Sequence, residues 1–509
     1  MSSTPLSRSH THICDTIMAP TDHPHSPKQP SMKQIVEEAK QLKEIFIPLT
    51  TMHLITYLRS MTSVLCMGKL GSLELAGGAL AIGFTNITGY SLLSGLTLGM
   101  EPICSQAFGS QNLNLVHLTL RRTILLLLFT SLPVSLLWLN LQPILVFFRQ
   151  DPSITKMASL YSVFALPDLI INSFLHPLRI YLRCRGNTAP LMWSTTIAVI
   201  FHVPLTFLLA FVLKLGIPGI AIASCCTNLN TLIFLLMYML YTGSCPPTGC
   251  KQDLISKGDN NGHWITLLRL ALPSCVGVCL EWWWYEFMTL SAGYLPDPHV
   301  TVAVAAIVIQ TTSLLYAFPV ALSASVSTRV GTELGSRKPS QAHLAALVAM
   351  VLAFGISLVG LVWTIVGRRL WGQAFSTDEE ILKLTMQVLP VIGLCELGNC
   401  PQTTGCGVLR GSARPNTGAR INLISFYLVG SPIALIMAFT FQFGFLGLCY
   451  GLLGAQIAAA LMAFTVIWNT NWEEEALKAK LLVGTDACEN RDDTSKADTD
   501  FSKEDHTEV

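Results

Sequence analysis

An all-α membrane protein with about twelve transmembrane helices in two six-helix lobes is the fold class predicted here, and three observations predict it. Only 12% of the 509 residues are charged and 51% are apolar, whereas ordinary soluble domains carry roughly 25% charged residues. Mean hydropathy is +0.51. Apolar stretches long enough to cross a bilayer, about 20 residues of helix each, recur along the whole chain. A soluble fold of this length needs far more polar surface, so a cytosolic enzyme is excluded. The net charge of +1 leaves no basic footprint, so nucleic acid is not an expected partner.

Twelve stretches qualify as spans: 42–66, 75–98, 118–147, 158–181, 191–213, 217–241, 267–294, 301–325, 342–366, 381–409, 421–441 and 445–468. Ten or eleven spans with re-entrant pieces is the alternative count. Pro167, Pro177, Pro273, Pro319, Pro390 and Pro401 interrupt several of them; membranes tolerate such breakers where neighbouring helices re-satisfy the freed carbonyls. Residues 1–41 are expected to be a disordered N-terminus, since Met1 to Lys33 are rich in Ser, Thr, His and Pro and form no cleavable signal. Residues 42–241 form the first lobe and 263–470 the second. A polar linker at 242–262, with Pro246 and Pro247, joins them, and 471–509 are a polar tail.

With the N-terminus inside, the outer connections hold Lys69, Arg149, Lys156, Lys214, Arg368, Arg369 and Lys383, which are seven basic residues. The inner ones hold thirteen: Arg121, Arg122, Arg179, Arg183, Arg185, Lys251, Lys257, Arg329, Arg337, Lys338, Arg410, Arg414 and Arg420. The asymmetry puts both termini in the cytosol. Most cysteines lie in apolar stretches, where they act as small hydrophobes. Only Cys245 and Cys250 share a loop, and we read them as reduced thiols.

The chain also repeats itself. Pro48 recurs as Pro273, Gly109 as Gly335, Phe148 and Asp151 as Phe375 and Asp378, Arg183 as Arg410, and Gly216 and Gly219 as Gly444 and Gly447. The offsets drift from 225 to 228 (273 − 48, 447 − 219). Six helices per repeat bring both halves in from the same side. That gives a parallel repeat about an axis along the membrane normal, as in transporters whose lobes rock around a central site.

Buried polar groups are expensive in lipid, at about 2.5–3.5 kcal/mol for a mid-membrane charge on insertion scales, so each is a candidate site. In the seventh span, Glu281 and Glu286 are five residues apart and point roughly 140° from one another. They cannot share one proton on one face. Glu281, deep in the span, is the candidate proton carrier, because burial of a carboxylate favours proton uptake; a structural hydrogen bond is its bland alternative. Trp282, Trp283, Trp284 and Tyr285 could serve an aromatic substrate face, with Trp283, Tyr285 and Glu286 lining the cavity, or the tryptophans could belong to an interfacial aromatic belt. In the tenth span Glu396, Asn399 and Thr403 form one polar stripe, next to the helix break at Pro401. The stripe suits a proton or cation relay, or else a helix–helix seam. In the first half, Asn86, Asp168, Asn172 and His176, with Gln310 in the second, are further candidates for the cavity. Glu101, Arg183, Arg329, Glu333 and Arg410 lie near the cytosolic ends and are candidates for a salt-bridged gate. No phosphate-binding P-loop occurs, which argues against direct ATP drive. No zinc-type Cys/His cluster or nucleophile–base pair is present, so no cofactor, no metal and no enzyme activity are expected.

The motifs themselves are similar to those of one family. Residues 74–109 (ELAGGALAIGFTNITGYSLLSGLTLGMEPICSQAFG), 280–286 (LEWWWYE), 327–335 (STRVGTELG) and 405–415 (GCGVLRGSARP) together resemble the multidrug and toxic compound extrusion (MATE) family, in its plant DETOXIFICATION branch. The resemblance runs from about Leu42 to Trp472. It implies two facing six-helix lobes and export of organic solutes or xenobiotics against a proton or sodium gradient, with proton coupling usual in plant members. It puts the family's seventh-helix acid on Glu281. Its tenth-helix acid, eleven residues before the arginine of the LRG motif, falls on Asn399, so Glu396 one turn earlier is the candidate replacement. The first-helix acid of some prokaryotic members falls near Ser63 and is absent.

The sequence therefore predicts a proton-coupled secondary antiporter for a small organic substrate, monomeric, surrounded by membrane lipids, in the plasma membrane or an endomembrane such as vacuole, late endosome or Golgi. A lipid-linked flippase, a channel, or a membrane sensor that moves no solute are the alternatives.

Overall fold

The computed structural model describes residues 31–243 and 260–484. Twelve long helices run in order: α1 Met32–Leu70, α2 Ser72–Gly109, α3 Leu113–Leu139 with a short continuation over Leu141–Phe147, α4 Pro152–Cys184, α5 Ala189–Val212, α6 Ile217–Tyr241, α7 Gly262–Ala292, α8 Pro298–Gly335, α9 Pro339–Phe375, α10 Glu379–Gly411, α11 Pro415–Thr440 and α12 Phe445–Trp468. A shorter helix, α13, follows at Trp472–Val483. Among the described residues, α2 to α12 are the eleven helices apolar enough to cross a bilayer on composition alone. The twelfth is α1, whose charges at Glu37, Glu38, Lys40, Lys43 and Glu44 crowd its first turns. Its 39 residues reach about 58 Å, enough to span and to project beyond the hydrocarbon.

That projection corrects the expected N-terminus. Residues 32–41 are helical, opened by a capping box in which the Ser31 hydroxyl accepts from Lys33 N and Gln34 Oε1 accepts from Ser31 N. The expected tail is likewise helical at α13, capped by Asn471 Oδ1, which accepts from Glu473 N and Glu474 N. The linker with Cys245 and Cys250, the first thirty residues and everything past Gly484 lie outside the described residues.

Each of the twelve expected spans coincides with one helix; most helices run on past the expected ends, while the expected spans overrun the ends of α5, α7 and α11 by one or two residues. Asp151 caps α4 through Ser153 N and Ile154 N, and its repeat mate Asp378 caps α10 through Glu380 N and Ile381 N. Gly216 and Gly444, also mates, both enter their helices with positive φ (64° and 57°) and ψ near −130°, a backbone shape that favours glycine. Left-handed residues recur in register too: Gln111 with Arg337, Gly186 with Ala413, and Lys214 with Gln442. The wide turns Leu208–Val212 and Ile436–Thr440 are likewise 228 residues apart (436 − 208). The repeat therefore extends to backbone conformation, and the two halves are two six-helix lobes.

The lobes join most closely at one end of the bundle, the base, where α1 begins and α13 lies. There α2 crosses α8 so tightly that a Cβ on Gly109 would strike Thr332 O, and one on Gly335 would strike Gln106 O. Gln106 Nε2 donates to Gly411 O at 2.9 Å and Ser336 Oγ to Gly109 O at 3.0 Å. Farther along, Gly95 and Gly99 of α2 fit against Cys275 and Ala271 of α7.

Candidate functional site

Between the lobes lies a cavity of about 230 Å³. The first lobe contributes His53 from α1, Ser94 and Thr97 from α2, and His176, Arg179 and Arg183 from α4. The second contributes Glu281 and Trp282 from α7, Tyr316 and Ser323 from α8, Thr403 and Arg410 from α10, and Asn422 from α11. Sites for drug-sized ligands usually measure roughly 300–1,000 Å³, so in this state the lobes enclose room for a small organic group only.

Helix geometry decides which aromatic faces the cavity. Successive residues turn by about 100°, so Val278, Glu281 and Trp282 share one face and Trp283 is carried round toward lipid, where 44% of it is exposed. Of the expected aromatic face, Trp282 lines the cavity and the expectation for Trp283 is corrected. Trp284 is fully buried inside the second lobe. Glu286 does not line the cavity; its carboxylate lies near α2, 3.8 Å from where a Cβ on Gly83 would sit. Asn86 and Gln310 are half-buried on α2 and α8 and do not line it either.

Two polar networks flank the cavity. In the second lobe Glu281 sits beside the Tyr316 hydroxyl and within electrostatic reach of Arg410. Tyr285 lies behind it, within electrostatic reach of both Glu281 and Glu396 and beside Gln456. Glu396 Oε2 accepts from Asn399 Nδ2 at 3.0 Å, and Asn399 Oδ1 accepts from Thr403 Oγ1 at 3.3 Å. The expected stripe is therefore one connected seam, and Thr403 is its end at the cavity. From there Ser323 Oγ donates to Thr403 O at 2.6 Å and accepts from Arg410 Nη2 at 2.9 Å.

The first lobe holds a separate cluster. Asp168 accepts from Tyr90 OH at 2.7 Å and from Asn228 Nδ2 at 2.8 Å, while Asn228 Oδ1 accepts from Arg59 Nη1 at 2.7 Å. Asn172 turns its amide to Asp168 O. Asp168 and Asn172 are thus interior to the lobe, and of the group expected on α4 only His176 reaches the cavity.

At the base, the candidate gate residues resolve into two ion clusters. Glu101, with 0% exposure, lies 2.6 Å from Arg183 Nη2 in its own lobe and 3.5 Å from Arg410 Nε in the other. The two arginines are repeat mates that converge on one carboxylate. In the second cluster Arg329 binds Glu38 of α1 through Nε and Nη2, both at 2.9 Å, and Glu333 at 2.8 Å. Glu38 was not a candidate because residues 1–41 were assigned to a disordered terminus; the Ser31-x-x-Gln34 capping box was the available signal. His53 and Tyr316 were also missed as cavity residues, since nothing in their spacing marks them. No cluster of three or more His, Cys, Asp or Glu suited to a metal occurs among the described residues.

Comparison with known proteins accounts for this architecture. The MatE family model matches residues 48–208 and again 273–436, the two halves of the repeat. The chain is 56% identical to Protein DETOXIFICATION 55 of Arabidopsis thaliana over 465 residues, covering 89% of this chain and 93% of that one. It is 49% identical to Protein DETOXIFICATION 49 of the same plant, covering 93% and 94%. Its fold matches the crystal structure of the eukaryotic MATE transporter AtDTX14 with a TM-score of 0.83 at 30% identity, over 88% of this chain and all of that one. A Vibrio cholerae MATE transporter, VcmN, shares the fold at a TM-score of 0.77 and 17% identity, over 89% and 99%. The chain is a multi-pass membrane transporter and belongs to the MATE family.

Proposed function

We propose that the protein exports a small organic solute in exchange for protons, with Glu281 as the proton-binding group. The observation that carries this is the placement of one buried carboxylate on the cavity wall between two lobes. Glu281 is also tied electrostatically to Arg410, which belongs to the base cluster. Protonation from the acidic side neutralises Glu281, lowers the cost of its burial and tips the lobes; solute arriving from the cytosol reverses the tilt. Glu396 and Asn399 act as its partner seam, Glu396 standing in for the acid that the family keeps at the position of Asn399. The Glu101–Arg183–Arg410 and Glu38–Arg329–Glu333 clusters act as the cytosolic gate. The names of the similar plant proteins speak of detoxification, which supports an organic solute or xenobiotic as cargo.

The lobes take residues 42–241 and 263–470, joined by a cytosolic linker at 242–262, with both termini cytosolic as the basic residues favour. The working unit is a monomer in the plasma membrane or an endomembrane. Export in proteoliposomes under an imposed pH gradient tests the mechanism. Glu281→Gln keeps volume and hydrogen bonding but removes the titrating proton, so it abolishes gradient-driven accumulation while expression stays near normal. Glu396→Gln damages transport almost as severely. If Glu281→Gln still concentrates solute under the gradient, Glu281 is structural. A protein that only equilibrates solute is a channel, and one that moves none is a sensor.

A further inference from the structure

Three arginines line the inter-lobe cavity, and two of them are paired with a carboxylate. Arg183 and Arg410 both bind Glu101. Arg179 does not. The charges that reach it are Arg59 and Asp168, and both Asp168 oxygens are already taken, by Tyr90 and Asn228, with Arg59 held on the far side of Asn228. Arg179 Nε is buried with no hydrogen-bond partner among the described residues. A guanidinium in low dielectric without a directly paired carboxylate is costly, and here it is kept on the wall of a cavity.

Its neighbours point the same way. His176 and Arg183 stand three residues before and four after Arg179 on α4, so all three share a face, and His53 of α1 completes the wall. Summed over the cavity arginines and the two nearby acids, Arg179, Arg183 and Arg410 against Glu281 and Glu101, the charge is +1 with Glu281 ionised and +2 with it protonated. The surface is cationic in either state. Opposite stand Pro273, Val278, Trp282 and Val320, an apolar wall for the body of a ligand.

We propose that Arg179, flanked by His53 and His176, binds the carboxylate of an organic anion whose apolar body packs on Trp282, so that the cargo is an anion rather than an organic cation. This rests on the reading of the inter-lobe cavity as the transport site. The planar guanidinium fork matches a carboxylate in two parallel hydrogen bonds, and the enclosed volume admits a single aromatic ring with one polar group.

The test measures binding without any gradient. Purified protein is heated with benzoate, phenyl phosphate, benzylammonium or benzamide at matched ionic strength, and ligand-induced stabilisation gives Kd. Benzoate stabilises the wild type; benzylammonium and benzamide do not. Arg179→Gln weakens benzoate by about tenfold or more, the loss expected for a charge-assisted pair, and Arg179→Lys, which keeps the charge without the fork, falls between. Stabilisation by phenyl phosphate in preference to benzoate would assign the site to a phosphoryl group and overturn the carboxylate. So would benzylammonium stabilising as well as benzoate, no stabilisation by benzoate, or unaltered benzoate binding in Arg179→Gln. Benzoate binding in a protein that fails to respond to a pH gradient supports this inference and removes only the proton-coupled reading.

Discussion

At the scale of the residue, three adjacent tryptophans have three different fates, and the 100° step of the helix assigns them. Trp282→Ala is expected to raise the KM for cargo severalfold in vesicle uptake, because it strips the apolar wall of the cavity. Trp283→Ala, on the lipid-exposed face, leaves KM unchanged; the opposite order would place the cavity on the wrong side of α7. Glu101 offers a second contrast. Its nearer partner is Arg183 at 2.6 Å, its farther one Arg410 at 3.5 Å, and breaking a buried pair costs about 3–5 kcal/mol because it strands a charge. Arg183→Gln therefore lowers the thermal midpoint more than Arg410→Gln. Equal losses would mean that Glu101 is shared evenly. Glu281 and the Glu396–Asn399–Thr403 seam were legible in the sequence because each breaks the rule that lipid-buried residues are apolar. His53 and Tyr316 were not, since what makes them matter is which residues from other helices stand beside them.

At the scale of the element, helix existence and number followed from apolar length, whereas Asp151 and Asp378 served in the sequence only as repeat marks and their role as caps emerged from the structure. The ends were less legible: charged first turns such as those of α1 look like solvated tail until Arg329 of a distant helix pairs with Glu38. The crossing of α2 on α8 is the element contact with the sharpest consequence. Gly109 and Gly335 allow backbone against backbone, where an added methyl has no flexible side chain to displace. Gly335→Ala is therefore expected to cost about 1–3 kcal/mol in the state described here and to shift the lobes apart at the base. Nitroxide labels on Asn114 and Lys338, both exposed, should report a longer mean distance in Gly335→Ala than in wild type. An unchanged distribution would show that the crossing does not hold the base shut.

At the scale of the whole molecule, the repeat was legible from seven residue pairs, and the fold carries it down to backbone torsions. What the repeat hid is where the symmetry fails. Arg183 and Arg410 are mates, yet one carboxylate from one lobe serves both, and α13 follows the second lobe with no counterpart described for the first. That helix spans the junction. Trp472 stacks on His343 of α9 at 5.5 Å between ring centroids and packs, with Ala479, among apolar residues of α8 and α9. At its other end Val483 packs beside Leu115 and Val116 of α3, and its carbonyl accepts from Asn112 Nδ2 at 3.3 Å. Between these ends Glu475 pairs with Arg414 at 3.7 Å. The exposed Lys478 is held above the ordinary lysine range by Glu474 and Glu475, and its pair with the equally exposed Glu474 adds little. The apolar ends carry the docking. A helix fastened to both lobes on one side must be released or stretched before that side opens, so it biases the lobes toward the closed base. Trp472→Ala removes a buried aromatic worth about 3–5 kcal/mol, enough to undock a twelve-residue helix. Amide exchange along α13 should then rise to the rate of an unprotected chain, and the Asn114–Lys338 label distance should gain a longer component. Glu474→Ala, touching only the exposed pair with Lys478, should change neither. If Trp472→Ala frees α13 while the label distance stays as in wild type, the helix rides on the lobes without holding them together.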